Sequence, residues 1–283
     1  MAFDGITVAA LVQELRDSLT GGRIAKIAQP EPDELLLTIK TPAGQRKLYI
    51  SASASLPLIY LTDENKPSPM TAPNFCMLLR KHIGNGRITS ISQPKLERII
   101  SLHIEHLNEL GDLCEKKLII EIMGKHSNII FCDDKDMILD SIKHVSAQMS
   151  SVREVLPGRT YFIPDTMEKS DPLSVDVSSF MEILRLKPVP LGKAIYTSFT
   201  GISPVIAEDI CFLAGLSFQL PCLMRIPFYI CSDNFLITWM ISDAVVSIHA
   251  FIMTAHRPKT LALSHCRIFL IIRSRNLLLS RKF

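Results

Sequence analysis

An abrupt change of composition near Leu216 limits what this chain can fold into more than any other feature. The first 216 residues hold 26 Asp+Glu, whereas the last 67 hold two, Asp233 and Asp243, with no Glu and no Gly. Lys+Arg divide 23 and 8 across the same break, so a chain of net charge +3 is a −3 segment joined to a +6 tail. Surface carboxylates and turn glycines run through ordinary soluble domains. One consistent fold is therefore expected from the first 216 residues and not from the remainder. The overall positive charge is then no argument for nucleic-acid binding.

A length of 283 residues with 47% hydrophobic content suits a globular chain of one large or two ordinary domains. Asp4 and Thr7 interrupt the N-terminus before a secretory apolar segment can form. The longest charge-free run of the tail, Ala244 to Ala255, has 12 residues, too few to span a bilayer. Seven cysteines without a C-x-x-C read as single buried thiols, Cys76, Cys114, Cys132 and Cys211 among them, in a reducing compartment. A cytoplasmic protein without a membrane partner is expected.

Val8, Leu11, Val12, Leu15 and Leu19 recur at helical spacing until Gly21-Gly22 stops them. Strands follow by alternation: Leu35/Leu37/Ile39, Leu48 to Ile50, Ile100/Leu102/Ile104, Leu118/Ile120/Ile122, Ile129 to Phe131, and Ile138 to Val145. Between them, Thr71-Ala72-Pro73 opens a helix with Pro in its first turn, placing Phe75, Leu78, Leu79 and His82 on one side until Gly84 and Gly86. Two helices and many short antiparallel strands predict an α+β domain. Pro157-Gly158, Pro164, Pro172 and the polar stretch 168–171 mark its end, and a helical pattern resumes at Leu191, Ala194, Ile195 and Phe199. The predicted division is 1–173, then a helical region 174–216, then the tail 217–283.

Thr200-Gly201-Ile202-Ser203-Pro204 predicts a helix ending at Gly201 and a second capped by Ser203 with Pro204 in its first position. Such a helix-hairpin-helix can hold a phosphate on the amides of Gly201, Ile202 and Ser203. The same pattern also serves a plain αα-hairpin packed on its neighbour. Glu97-Arg98 stands at a strand entrance, where spacing alone reads it as a solvated pair at a hairpin mouth. His103 and His106 fall on opposite faces of a strand and form no metal site. Gly124-Lys125-His126-Ser127 lacks the span of a phosphate-binding P-loop. No nucleophile–base arrangement or paired carboxylate is present. The chain is expected not to be an enzyme, and to need neither cofactor nor small-molecule substrate.

Several segments together resemble the NFACT family: Met1-Ala2-Phe3-Asp4-Gly5-Ile6, Gly22-Arg23-Ile24-Ala25-Lys26-Ile27-Ala28-Gln29-Pro30, Pro73 to His82, Met123-Gly124-Lys125-His126-Ser127-Asn128 and Val152 to Gly158. The resemblance runs in register from Met1 to about Leu216. It implies an N-terminal domain similar to that of formamidopyrimidine-DNA glycosylases, followed by a helix-hairpin-helix region. It also implies a ribosome-quality-control factor that binds tRNA and the large ribosomal subunit and supports alanine tailing of stalled chains. The glycosylase Pro and Glu after Met1 are replaced by Ala2 and Phe3, so base excision is not expected. The family's tRNA-contact motif, an acidic residue followed by Arg, falls on Glu97-Arg98. The alternative carried by an older family label is a surface adhesin for fibronectin or fibrinogen.

Full members of that family continue through a coiled coil to an RNA-binding domain, which this tail does not resemble. Trp239-Met240-Ile241 requires TGG-ATG-ATN, and one nucleotide earlier the same bases encode Met, Leu or Val followed by Asp-Asp. Met253-Thr254 likewise yields a further Asp. The expectation is that residues from roughly Ser217 onward are an out-of-frame translation, leaving a truncated and impaired factor.

Overall fold

The computed structural model describes residues 3–108, 110–164, 169–213 and 217–219. The chain divides into two compact units, Met1–Asp171 and Pro172–Phe283.

The first unit begins with α1 (Gly5–Leu19), capped by Asp4, whose Oδ1 accepts the Thr7 amide and hydroxyl, both at 2.8 Å. Val8, Val12, Leu15 and Leu19 are buried along one stripe of α1. Nine strands then form one antiparallel sheet: β1 (Arg23–Ala28), β2 (Glu34–Thr41), β3 (Gly44–Ser51), β4 (Leu58–Thr62), β5 (Arg87–Ser92), β6 (Ile99–Leu107), β7 (Leu113–Glu121), β8 (Asn128–Asp133) and β9 (Ile138–Ser141). Their order is β4-β3-β2-β1-β5-β6-β7-β8-β9. Two meanders thus run outward from a central β1–β5 seam, with α2 (Asn74–Ile83) carrying the chain from one to the other.

The seam needs close backbone approach. Gly21 N donates to Ile88 O at 2.8 Å, and Ile24 N to Gly86 O at 2.9 Å. A Cβ on Gly22 would lie 2.7 Å from the Ile39 side chain, and one on Gly86 2.7 Å from the Ile104 side chain. Larger residues at either place would collide with the neighbouring strand, β2 or β6, just beside the seam.

One sheet face packs on α1 and α2 around Leu15, Leu19, Leu37, Ile39, Leu79, Leu102 and Ile120. Truncating any of these to Ala would cost about 2–5 kcal/mol. The opposite face of the β6–β9 half is also buried, by Ile99, Ile119, Ile130, Cys132, Ile138 and Val155 with Tyr161 and Val145 against them. Burial on both faces accounts for the continuous apolar runs of β7 and β8. Lys143 Nζ donates to the carbonyls of Ala52, just past β3, and Ser127, just before β8, tying the two meanders together.

Several sequence expectations shift. Pro73 is the residue before α2 rather than within its first turn, and the buried set is Phe75, Cys76, Leu79 and Ile83, with Leu78 and His82 half-buried. The last strand stops at Ser141; Val145 pairs only as an isolated bridge with Val155. Cys114 is half-buried, whereas Cys76, Cys132 and Cys211 are buried.

The second unit contains α3 (Val177–Arg185), α4 (Leu191–Ser198) and α5 (Pro204–Leu213). Asp176 caps α3 through the Ser179 amide at 2.9 Å; this helix is absent from the sequence reading. The Phe180 and Phe199 rings stack at 4.7 Å. Gly192 N donates to Phe218 O at 3.0 Å, with the Phe218 ring where a Cβ on Gly192 would sit. No helix among the described residues is long and apolar enough to cross a membrane. The tail expected to be out of frame lies, from residue 220 on, outside the described residues.

Candidate nucleic-acid interface

Residues 93–98 join β5 to β6 at the mouth of a hairpin. Gln93 Nε2 donates to the carbonyls of Gly5 and Glu97, both at 2.8 Å, so one amide pins the loop to the start of α1 and to itself. Glu97 N donates to Pro94 O at 3.0 Å across a turn in which Lys95 takes φ +51°. Leu96 is buried and so is Ile99, and the Arg98 carbonyl accepts Ile122 N at 2.8 Å. The backbone under Glu97 and Arg98 is held on both sides by packing and hydrogen bonds.

Their side chains are held differently. Glu97 and Arg98 are both half-buried, and among the described residues neither side chain forms an ion pair or hydrogen bond. Glu121, cross-strand from Ile99, is committed to other partners. Arg153 donates to both of its carboxylate oxygens at 2.5 Å and the Tyr161 hydroxyl donates at 2.9 Å. The Arg98 guanidinium, with five donors, stands on a rigid base with its hydrogen-bonding capacity unspent. That arrangement suits a phosphate or a base edge.

The second predicted element lies in the other unit. α4 ends at Ser198, three residues before the predicted end, and Gly201 takes φ +76° in the connection. Ser203 caps α5: its hydroxyl accepts Ile206 N at 3.3 Å, and Pro204 opens the helix as expected. Ile202 is buried, so its side chain anchors the turn.

Other sequence candidates are structural. His103 Nδ1 meets Glu115 Oε1 at 2.6 Å and its Nε2 lies 3.4 Å from Ser92 Oγ. Among the described residues no group of three His, Cys, Asp or Glu could hold a metal. Gly124–His126 forms a 3-10 turn in which the Ser127 hydroxyl accepts Met123 N, and Asn128 bonds Lys143 at both backbone groups. Burial holds the Cys132 thiol proton well above its ordinary range, pushing its pKa up to about 12, and raises that of Cys76. Gln93 is missed by sequence reading because its two acceptors are backbone atoms, one of them in a helix far away in sequence.

The chain matches the family described as NFACT N-terminal and middle domains over residues 4–223. It is 39% identical over 218 residues to the Rqc2 homolog RqcH of Bacillus subtilis, covering 77% of this chain and 38% of that relative. The chain thus spans about two-fifths of the length of that relative. The N-terminal domain of fibronectin-binding protein PavA from Streptococcus pneumoniae superposes with a TM-score of 0.68 at 36% identity, covering 74% of this chain and 78% of that one. The N-terminal part of the fibronectin/fibrinogen-binding protein of Streptococcus suis gives 0.73 at 28% identity, covering 95% and 99%. The antiparallel sheet with flanking helices is therefore that of the N-terminal domains of this group, and the chain belongs to the NFACT family.

Proposed function

We propose that this chain is the tRNA- and large-subunit-binding end of a ribosome-quality-control factor. The observation that carries the reading is Arg98. Its guanidinium is unpaired among the described residues on a locked hairpin, at the position where the family's acidic-Arg motif falls. Arg98 binds a tRNA phosphate or stacks on a base, and Glu97 orients it or touches the RNA itself. The hairpin amides at Gly201, Ile202 and Ser203 supply a second phosphate contact. The chain acts in the cytoplasm by binding, and the ribosome performs the peptidyl transfer. Arg98→Ala is expected to weaken tRNA association while leaving the melting temperature unchanged; unaltered affinity overturns the assignment.

Two of the solved relatives carry fibronectin or fibrinogen in their descriptions, which supports adhesin binding as the second reading. Cofractionation with free large ribosomal subunits, compared with capture on immobilised fibronectin, separates the two. The tail belongs to the same proposal. The family match ends at residue 223, a few residues past the compositional break, which supports an out-of-frame translation beyond it and an impaired factor.

A further inference from the structure

The sheet face turned away from α1 and α2 carries an unusual row of side chains. Arg23 on β1 is the direct cross-strand partner of Lys40 on β2 and of Arg87 on β5. Three cations therefore stand side by side on adjacent strands, across roughly 10 Å at the usual strand spacing. The next row on the same face places Lys26 opposite Thr38 and Thr38 opposite Lys47. Arg23, Lys26, Lys40 and Arg87 are exposed. Among the described residues none of these four forms an ion pair. Arg87 faces Glu105 in register without closing a salt bridge to it.

Two β-bulges build this face. The register shifts between Ile24 and Lys26 and again between Ile88 and Ser90. Skipping Ala25 puts Arg23 and Lys26, three positions apart, on one face while Ile24 and Ile27 both reach the core. Like charges directly opposite one another destabilise a sheet. Three in a row, with Glu105 in register beside Arg87 but closing no ion pair with it, carry that cost in the free protein, and a polyanion removes it. Beyond the second row, Tyr60 stands exposed on the same face, its ring 5.2 Å from that of its cross-strand partner Tyr49. Lys66 lies over the Tyr49 ring at 5.9 Å, which leaves Tyr60 as the aromatic open to a ligand. A cationic track beside an exposed aromatic, with Thr38 and Thr62 hydroxyls interleaved, fits the sugar-phosphate chain of an RNA with a base against the ring.

We propose that the outer face of β2-β1-β5, through Arg23, Lys40 and Arg87, is a phosphate-backbone contact for RNA separate from the Glu97–Arg98 hairpin. This rests on the reading of the chain as an RNA-binding factor. The test titrates unfractionated tRNA into the full chain at several salt concentrations for wild type, Arg98→Ala, a control Lys135→Ala, and the triple Arg23→Ala/Lys40→Ala/Arg87→Ala. The triple is expected to lose affinity on the order of tenfold near physiological salt and to flatten the salt dependence by roughly 2 logarithmic units per decade. Its melting temperature should equal or exceed that of wild type, because the repulsion is gone. Lys40→Glu should raise the melting temperature by pairing with Arg23 and still lower tRNA affinity, opposite signs that a purely structural residue would not give. Wild-type affinity and salt dependence in the triple overturn the sheet-face contact and leave the hairpin reading intact. Loss in the triple with no effect of Arg98→Ala upholds the face and removes the hairpin. A wild-type chain that binds no tRNA overturns both.

Discussion

Arg153 closes on Glu121 with both carboxylate oxygens at 2.5 Å, and Glu121 is only 1% exposed. The pair joins the inner end of β7 to the segment that covers the second core, with the guanidinium 5.2 Å from the Tyr161 ring centre and a further bond to Phe162 O at 2.7 Å. Arg153 belongs to the stretch Val152–Gly158 that carries part of the family resemblance, and its work there is architectural.

Removing one partner of a buried ion pair leaves the other charge stranded. Arg153→Ala or Glu121→Ala is therefore expected to cost about 3–5 kcal/mol, a fall in melting temperature of roughly 10 °C for a unit of this size. Thermal unfolding followed by circular dichroism checks it. A loss below about 1 kcal/mol would show that the pair is solvated.

On the proposed reading, Gln93 is expected to act as a positioning residue that holds the Glu97–Arg98 hairpin in place. Gln93→Ala deletes the bonds to Gly5 O and Glu97 O and is expected to cost about 1–2 kcal/mol. It should weaken tRNA binding less than Arg98→Ala does. Equal loss from both variants would place Gln93 in the contact itself. Urea unfolding and tRNA titration on the same samples separate the two effects.

Burial keeps the Cys132 thiol protonated up to about 12. An unfolded thiol ionises near 8.5. As pH rises through the interval between these values the unfolded chain releases a proton that the folded chain retains, so stability falls with increasing pH. Below about 8 this contribution is fully present. Cys132→Ala should lower stability overall yet reduce its slope against pH between about 8.5 and 10. Cys132 should also resist thiol reagents at pH 8 until the protein is unfolded. An unchanged slope would sink the assignment.

The genomic DNA around the codons for Leu216 to Met224 is expected to show a one-nucleotide slip relative to the frame of its relatives. The shifted frame should read Asp-Asp across the codons of Trp239 to Ile241. An intact frame at the nucleotide level would make the tail a real, divergent segment.

Where a side chain's fate followed from its neighbours in the chain, it was legible beforehand. Val8, Val12, Leu15 and Leu19 repeat at helical spacing, and they form the buried stripe of α1. Leu35, Leu37 and Ile39 alternate, and they line the core from β2. β1 and β5 escaped because each contains a bulge. Ile24/Ile27 and Ile88/Ile91 stand three apart, which mimics a helix or a loop, yet all four are buried. α3 carries a local signature, Asp176 capping a run with Phe180 and Leu184, but the polar, Pro-bearing stretch before it reads as linker and masks the helix.

By itself the amino-acid order determined the α+β class, the first two helices, most strands and the family, because periodicity, turn residues and short motifs are local properties of the chain. Only the tertiary structure decided which charges meet. It committed Glu121 to Arg153, left Arg98 without an ion pair among the described residues, and lined up Lys40, Arg23 and Arg87 across three strands. Those outcomes depend on strand order and on two one-residue register shifts, set by packing between residues far apart in sequence.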